Sequence, residues 1–502
     1  MSYRRRLIAA LSQNRQFIEG YCQPGTQTYY LHIRQYTDEG AGDMTRFYSI
    51  TPDANGYWRW YVPQGKTVAS LTSAFSMYSQ ANSEALVTVN LSHINPVISF
   101  YASFGTFNDP QCWPCTNLKS VKGMRVANDN SIISSCFVNT FYGCTSLEYV
   151  DVRGWKNAST RAVAMNYVFR ECNSLTTIDG QDEWGFRVGN AYAMFRGCQN
   201  IEELDFSNFR GGGTVNDYWF YDCQKLKKIK SWGSLHFNCT NFRYHYANCY
   251  ALEEIDLSVL SGDTPTNFSN AFNGCQKLEE IDLTPFGTCA VTSVSATFAN
   301  CTNLKKVIGL NKIDVTNCGS FVSMCAYSRN LEDFDIHTWK PTTSTNFQSC
   351  FRECYALKIN ASTVWDVSGA TATRVDYMYG SGSLANQNAW ATATGRTPWE
   401  DFTHLSVPIV PNGITSNNYT TYHYGNDVVS TCGNISASLN FNYGTLDLAS
   451  AILVLQRLQD VTGYGGATLT LSASTRAIVA ADATAMALRN NAVDNLGWTI
   501  TI

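Results

Sequence analysis

The apolar positions of this chain recur on a register of about 26 residues. A cysteine marks it at Cys115, Cys144, Cys172, Cys198, Cys223, Cys249, Cys275, Cys301 and Cys354, with Ser328 in the place between the last two; the intervals are 29, 28, 26, 25, 26, 26, 26, 27 and 26 residues. Three residues before it stands an aromatic: Phe141, Phe169, Phe195, Phe220, Tyr246, Phe272, Phe298 or Phe351. Three after it stands a leucine or isoleucine, Leu147, Leu252 and Leu278 among them, and six after it another apolar residue such as Val150, Ile255 or Ile281. Fainter copies at Ala81 to Ser92 and Tyr379 to Asn388 bring the count to about a dozen units.

A period near 26 with the pattern L-x-x-[IV]-D-L predicts a solenoid in which each unit supplies one short strand and successive strands stack in parallel. The leucine and the aliphatics point inward and the aromatic packs the opposite wall. The cysteine reads as a small buried filler of the turn between them. A metal needs ligands that converge on one point, and a ladder disperses them along an axis, so the cysteines are read as packing residues and as reduced thiols. One unit alone cannot bury its apolar face, so units must stack and the ends need covering.

Written as F-x-x-C-x-x-L-x-x-I-D-L-S, the unit resembles the BspA-like leucine-rich repeats, and the resemblance runs from about Leu71 to Leu384. It implies a binding protein exposed on a cell surface or virion rather than an enzyme. Cys325 with Ser328, and Lys230 and Ile308 where the unit usually has Asp, depart from the pattern and imply locally irregular coils.

Residues 1–70 leave the register. TYYLHIRQYT and GYWRWYVPQG alternate like half-buried strands, with turn signals at Asn55-Gly56 and Gly65, which predicts a β-rich module that covers the solenoid or docks the chain. The solenoid is assigned to 71–394 and a C-terminal βα cap to 395–502. In the latter, strands start near 437, 467 and 498, with a helix from Asp447 to about Val461, another around Ala481 to Val493, and Gly497 as a stop. That is a βαβαβ unit with a right-handed crossover. The expected fold is thus an α/β-poor repeat solenoid with a parallel strand ladder, a β-rich N-terminal module and a βαβαβ C-terminal cap. DVTGYGGATLTLSA together with NNAVDNLGWTITI is similar to C-terminal segments of bacteriophage and prophage structural proteins of gut bacteria, which implies a virion.

Composition changes this picture little. Of the residues 44% are apolar and 15% charged, enough for a sizeable core, and a formal charge of −4 argues against a nucleic-acid binder. No run of about 18 apolar residues suggests membrane insertion. The LIAAL that follows MSYRRR is short for a signal peptide, so synthesis in a cytoplasm is expected, with release in a virus particle as a route outward.

Seven histidines form no HExxH and pair with no repeated Asp or Cys, so no catalytic residue and no cofactor is expected. Cys112 and Cys115 have the C-x-x-C spacing of redox pairs, but Cys115 already belongs to the register, which favours a structural role. Glu254, Asp256, Glu280 and Asp282 set four carboxylates on two adjacent coils, a weak calcium candidate that Lys228, Lys230 and Lys306 on flanking coils can neutralise. Trp155, Trp184, Trp219, Trp232, Trp339 and Trp365 recur in the connecting segments. They either close wide turns or form a sugar- or protein-binding surface, and Trp155, Trp219, Trp232 and Trp339 are the candidates for the latter.

These readings converge on a non-enzymatic phage appendage, a fibre that docks on other virion proteins and presents the solenoid to a host-surface glycan or protein, as a homo-oligomer. A bacterial cell-surface adhesin of the same repeat family and an intracellular peptide-binding scaffold are the alternatives.

Overall fold

Alternation sets the first strands. In β1 (Phe17–Cys22) Ile18 and Cys22 are buried, and in β4 (Tyr57–Tyr61) Trp58 and Trp60 are. The two pair antiparallel with Ile18 opposite Trp60. Gly20 leaves no room for a side chain, because a Cβ there would lie 2.0 Å from the Thr88 carbonyl oxygen and 2.9 Å from the Trp58 ring. The computed structural model describes residues 15–501 apart from 37–43, 64–66, 77–78, 98, 106–111, 128–131, 156–161, 186, 209, 212–216, 231–233, 236–237, 337, 343–345, 355, 358–424, 428–434, 436–437 and 442–443. It divides into two compact units, Met1–Cys239 with Asn248–Ala251, and Thr240–Ala247 with Leu252–Ile502.

In the first unit β2 (Tyr29–Tyr36), β3 (Met44–Ile50) and β5 (Thr67–Ser70) form an antiparallel sheet in the order β3-β2-β5. A short helix, α1 (Gln80–Ala85), leads into β6 (Leu86–Asn90). β6 pairs antiparallel with β1 on one side and parallel with β7 (Ser120–Lys122) on the other; β8 (Tyr149–Asp151) and β10 (Thr177–Asp179) continue in parallel. The sheet order is β10-β8-β7-β6-β1-β4. The N-terminal strands therefore do not stand apart from the repeats: β1 occupies the edge that the first repeat strand would otherwise leave open to another chain. Val89, Val121, Val150 and Ile178 stand opposite one another across this sheet and are all buried, each contributing about 1.5–3 kcal/mol by removal from water. Described coils also have a second wall, which sequence alternation did not indicate. There β9 (Ala162–Ala164), β11 (Arg187–Asn190), β13 (Arg210–Gly211) and β15 (Ser234–Leu235) pair in parallel, while β12 (Glu203–Leu204) and β14 (Lys228–Ile229) pair in parallel at the first-wall position.

The segment before each cysteine turns twice through left-handed backbone. Five residues ahead of it lie Asn139 (φ 60°), Tyr167 (59°), Ala193 (49°) and Tyr218 (67°), and one residue ahead Gly143 (82°), Glu171 (62°), Gly197 (80°) and Asp222 (65°). The turn brings the thiol onto the preceding coil. Cys172 Sγ donates to the Phe141 carbonyl at 3.2 Å, Cys198 to Phe169 at 3.1 Å, Cys223 to Phe195 at 3.1 Å and Cys249 to Phe220 at 3.2 Å. The aromatic ladder runs alongside, with Phe75, Phe104, Phe141, Phe169, Phe195 and Phe220 stacked at 4.5–6.0 Å between successive ring centres.

The second unit repeats the scheme. β16 (Glu280–Asp282), β18 (Lys306–Ile308) and β20 (Asp333–Phe334) pair in parallel, as do β17 (Cys289–Ala290) and β19 (Ile313–Asp314). Cys275 donates to Tyr246, Cys301 to Phe272 and Cys354 to Cys325, at 3.2, 3.0 and 3.0 Å. Toward the C-terminus β21 (Gly425–Asp427) pairs with β23 (Gly444–Leu446), and β22 (Leu439–Phe441), β24 (Ala467–Leu471) and β25 (Trp498–Ile500) form a parallel sheet in that order. Three helices lie between: α2 (Leu448–Gln456), α3 (Ala473–Ala481) and α4 (Ala483–Asn495). The helix expected around Ala481 to Val493 is α4, and α3 precedes it as a further helix. Asp482, with extended backbone, ends α3, and its carboxylate accepts from the Thr484 and Ala485 amides to start α4.

Candidate functional site

Strand alternation places one set of residues from the six-stranded sheet on its outward face. β1 contributes Phe17, Glu19 and Tyr21, and β4 contributes Tyr61, Arg59 and Tyr57 directly opposite them. Asn90 of β6 stands opposite both Glu19 and Lys122, and Tyr149 of β8 stands between Ser120 and Thr177. Tyr21 is 47% exposed and Tyr61 39%, among the most exposed large apolar groups of the protein.

Glu19 organises the aromatic end. Its Oε2 accepts from Tyr57 Oη at 2.7 Å and from Arg59 Nη2 and Nε at 2.6 and 3.0 Å, and its Oε1 accepts from Asn90 Nδ2 at 3.1 Å. Burial works to raise the carboxyl, but these bonds and the Arg59 charge outweigh it and hold Glu19 below the usual carboxylate range. Fixed in this way, the Arg59 guanidinium lies over Phe17 at 4.3 Å, with the Tyr57 and Tyr61 rings at 5.8 and 6.0 Å. His93 also stacks on Phe17, at 4.1 Å, and Arg15 covers Tyr61 at 5.2 Å. At the far end Arg153 grips Asp151 with two bonds of 2.9 Å and reaches Asp179 at 3.4 Å, and Tyr149 Oη donates to Asp179 at 2.9 Å. Burial and then Asp179 push the Tyr149 phenol up to about 12, so it stays a donor at neutral pH. The arrangement offers rigid aromatic rings beside planar, pre-oriented polar groups. That combination buries large area at low entropic cost and suits recognition of a sugar or peptide.

The framework residues of the repeat all lie in the interior: Cys144, Cys172, Cys198, Cys223, Cys249, Cys275, Cys301, Cys354, Leu147, Leu252, Leu278, Phe195, Phe272 and Phe298 are buried. The tryptophans require a correction. Trp155, Trp219 and Trp339 are also buried and cannot form a binding surface. Trp155 stacks on Trp184 at 6.0 Å and on Phe137 at 4.2 Å, Trp219 packs on Phe206 at 5.6 Å, and Trp339 Nε1 donates to the Leu310 carbonyl at 3.0 Å. They fill the space between the two walls of the coil, which short strands leave wide. Trp232 lies outside the described residues.

The calcium candidate also dissolves. Among the described residues no three His, Cys, Asp or Glu side chains are grouped to hold a metal ion. Glu254, Asp256, Glu280 and Asp282 are all exposed, and Asp256 and Asp282 accept from the Ser258 and Thr284 amides, each at 2.8 Å, to close their own turns. Glu280 stands opposite Lys306, which stands opposite Asp333, so charge alternates across the strands. Lys305 pairs with Glu279 at 2.9 Å and, in the first unit, Lys227 with Glu202, each one residue from the expected cation, while Lys230, one of those expected, pairs with Glu203.

All 17 cysteines among the described residues are buried thiols, Cys112 and Cys115 included. Burial raises the Cys115 thiol well above its ordinary value, the Cys301 thiol to about 12 and the Cys318 thiol to about 11, which removes there the thiolate that redox or nucleophilic chemistry requires. Among the described residues no helix is long and apolar enough to cross a membrane. The outward face was missed as a site, although GYWRWYV contains its signal: if Trp58 and Trp60 point inward, Tyr57, Arg59 and Tyr61 share the other side.

The family described as "BspA type Leucine rich repeat region" matches residues 114–227, 138–258 and 188–324, and the family described as "Mycoplasma protein of unknown function, DUF285" matches 266–391. Residues 114–324 therefore match BspA-type leucine-rich repeats. No curated protein matches the chain. Among solved structures, one titled "Crystal structure of TLR13-ssRNA13 complex" is similar at 14% identity over 65% of this chain and 48% of that one, with a TM-score of 0.19. The chain spans about half of that structure's chain, and a score so low carries no argument about fold or ligand.

Proposed function

We propose that this chain is a non-enzymatic binding protein whose outward strand face, from Tyr61 and Arg59 to Tyr149 and Asp179, docks on a glycan or protein of a host surface. One observation supports this most: Glu19 and its four donors hold exposed aromatic rings and a guanidinium in fixed positions on a face that the core does not use. The setting proposed is a bacteriophage virion, with the chain as a fibre or similar appendage, oligomeric, and attached to other virion proteins. The similarity of the C-terminal segment to phage structural proteins supports that setting. A bacterial cell-surface protein is the second reading, favoured by the BspA-type repeat match and by the Mycoplasma family match.

Two measurements test this. Quantitative mass spectrometry of purified particles beside washed cell envelopes separates the settings: stoichiometric copies in particles support the virion, and presence in envelopes alone rejects it. Binding of labelled protein to host envelopes tests the face. Arg59→Ala with Tyr61→Ala should lose at least tenfold in affinity with an unchanged melting temperature, and unaltered binding by that variant rules the face out.

A further inference from the structure

We propose that a second surface, a row of tyrosines in the turns before the repeat cysteines, binds a neutral, extended polysaccharide lying along the stack of coils. Tyr142, Tyr167, Tyr192 and Tyr218 come from four successive coils, and their ring centres are 6.2, 5.3 and 6.1 Å apart. All four are half-buried, so each keeps part of its ring at the surface. They lie in a different segment of the coil from the strand face described above, and the proposal does not depend on that face.

The rings are held in place. The Arg170 guanidinium lies over Tyr142 at 4.8 Å and Tyr167 at 5.5 Å, and Arg196 lies 5.1 Å from both Tyr218 and Tyr221. The fold does not require aromatics here. At the position of Tyr167 and Tyr218 other coils carry Asn139, Ala193, Asn270, Ala296, Ser323 and Ser349, with a tyrosine again at Tyr244, and the positions equivalent to Tyr192 include Ser269 and Ser295. Tyr167 and Tyr218 also sit at φ 59° and 67°, a region unfavourable to a bulky side chain. Large rings kept at strained positions that small residues serve equally well elsewhere point to use rather than packing.

Spacing and charge identify the ligand class. One ring per coil repeats at about the separation of parallel strands, ~5 Å, which is also about the length of one pyranose in an extended chain, so successive sugars meet successive rings. A pyranose offers a C–H face to an aromatic ring and hydroxyls to the flanking amides and carboxylates, here Gln199 and Asp222, which bond each other at 2.8 Å. Arg170 is paired with Glu171 at 3.1 Å, and Asp222 adjoins Tyr221 in the chain, so two carboxylates accompany the two arginines along the row and a neutral ligand suits it better than a polyanion.

Titration calorimetry on the full chain, with cellohexaose, mannohexaose and xylohexaose as neutral probes and hexagalacturonate as the anionic one, decides the matter. A neutral hexamer should bind, and the matching disaccharide should bind at least tenfold more weakly. Tyr192→Ser, the residue type the second unit already carries, should lose at least tenfold, and Tyr192→Phe should stay within twofold. Tyr142→Asn, matching Asn273, provides a second variant and should lose a similar factor. Failure to bind any neutral hexamer overturns the proposal, as does binding of hexagalacturonate alone. Binding that Arg59→Ala abolishes while Tyr192→Ser and Tyr142→Asn leave it intact also overturns it, and places the sugar on the strand face instead.

Discussion

The Ser328 hydroxyl donates to the Phe298 carbonyl, the bond that Cys301 makes to Phe272 one coil earlier at 3.0 Å. What the register conserves is therefore a small hydrogen-bond donor that ties each coil to the previous one. A sulfhydryl is a weak donor, and its bulk suits the pocket; a hydroxyl is a stronger donor and smaller.

Replacement at Cys198, which donates to Phe169 at 3.1 Å, should follow that logic. Cys198→Ser should change unfolding free energy by less than about 1 kcal/mol, and Cys198→Val, which loses the donor and adds a branch beside a left-handed turn, should cost about 2 kcal/mol. Urea unfolding measures both. Equal losses would show that volume alone matters at this position.

The left-handed turns give a prediction of opposite sign. Glu171 adopts φ 62° where Gly143 and Gly197 stand in neighbouring coils. Glu171→Gly should stabilise by up to about 1 kcal/mol through relief of that conformation, less the entropy that glycine adds to the unfolded chain and the loss of the part-buried pair with Arg170. Gly197→Ala should destabilise by about 1 kcal/mol: its Cβ would meet only ordinary contacts, the nearest 3.4 Å away, so the cost is one of backbone conformation. Denaturant midpoints of the two variants should move in opposite directions.

Trp155 and Arg59 should separate stability from binding. Trp155→Ala removes a fully buried ring and should cost about 3–5 kcal/mol, read as a lower melting temperature. Arg59, 37% exposed, should cost less than about 1 kcal/mol when changed to Ala, with the effect appearing in ligand affinity.

Alkali should unfold the protein through its thiols. Burial raises the Cys301 thiol from 9.0 to about 12 and Cys318 to about 11. A group whose folded value is raised adds stability below its unfolded value and loses it as pH climbs, because the unfolded chain then releases a proton that the folded chain keeps. Stability should fall from about pH 9 upward, by about 1.4 kcal/mol per pH unit for each such thiol, until the folded values are reached. Cys301→Ser should make that slope shallower. A slope unaffected by the substitution would assign alkaline unfolding to other groups.

The first wall of each coil was legible in the sequence because its residues repeat at fixed offsets from the cysteine. The second wall was not: β9, β13 and β15 have two or three residues each, too few for alternation to register. The tryptophans misled for a related reason. Trp155 and Trp339 lie 11 residues after the register position and Trp184 lies 12 after it, whereas Trp219 stands four before Cys223, and a place in a connecting segment does not by itself show which way the ring points. The tyrosine row was hidden by spacing as well, since it combines residues two, five and six positions ahead of the cysteine.

Cys325 and Phe334 share one coil and exchange sizes. Cys325 stands where other coils have an aromatic, and Phe334 where they have Val, Ile or Leu; the Phe334 ring meets Phe298 at 5.8 Å and Phe351 at 5.7 Å, both edge-on, and so bridges the gap in the ladder. If this is compensation, Cys325→Phe alone should overpack the coil and cost about 1–3 kcal/mol, and Phe334→Ile alone should leave a cavity and cost about as much or more. Together they should restore the usual pattern, with the double variant more stable than the sum of the two losses by at least about 1 kcal/mol. Urea unfolding of the four proteins closes the cycle. Additive losses would mean that the two positions do not share a volume and that the irregular coil is held by something other than this exchange.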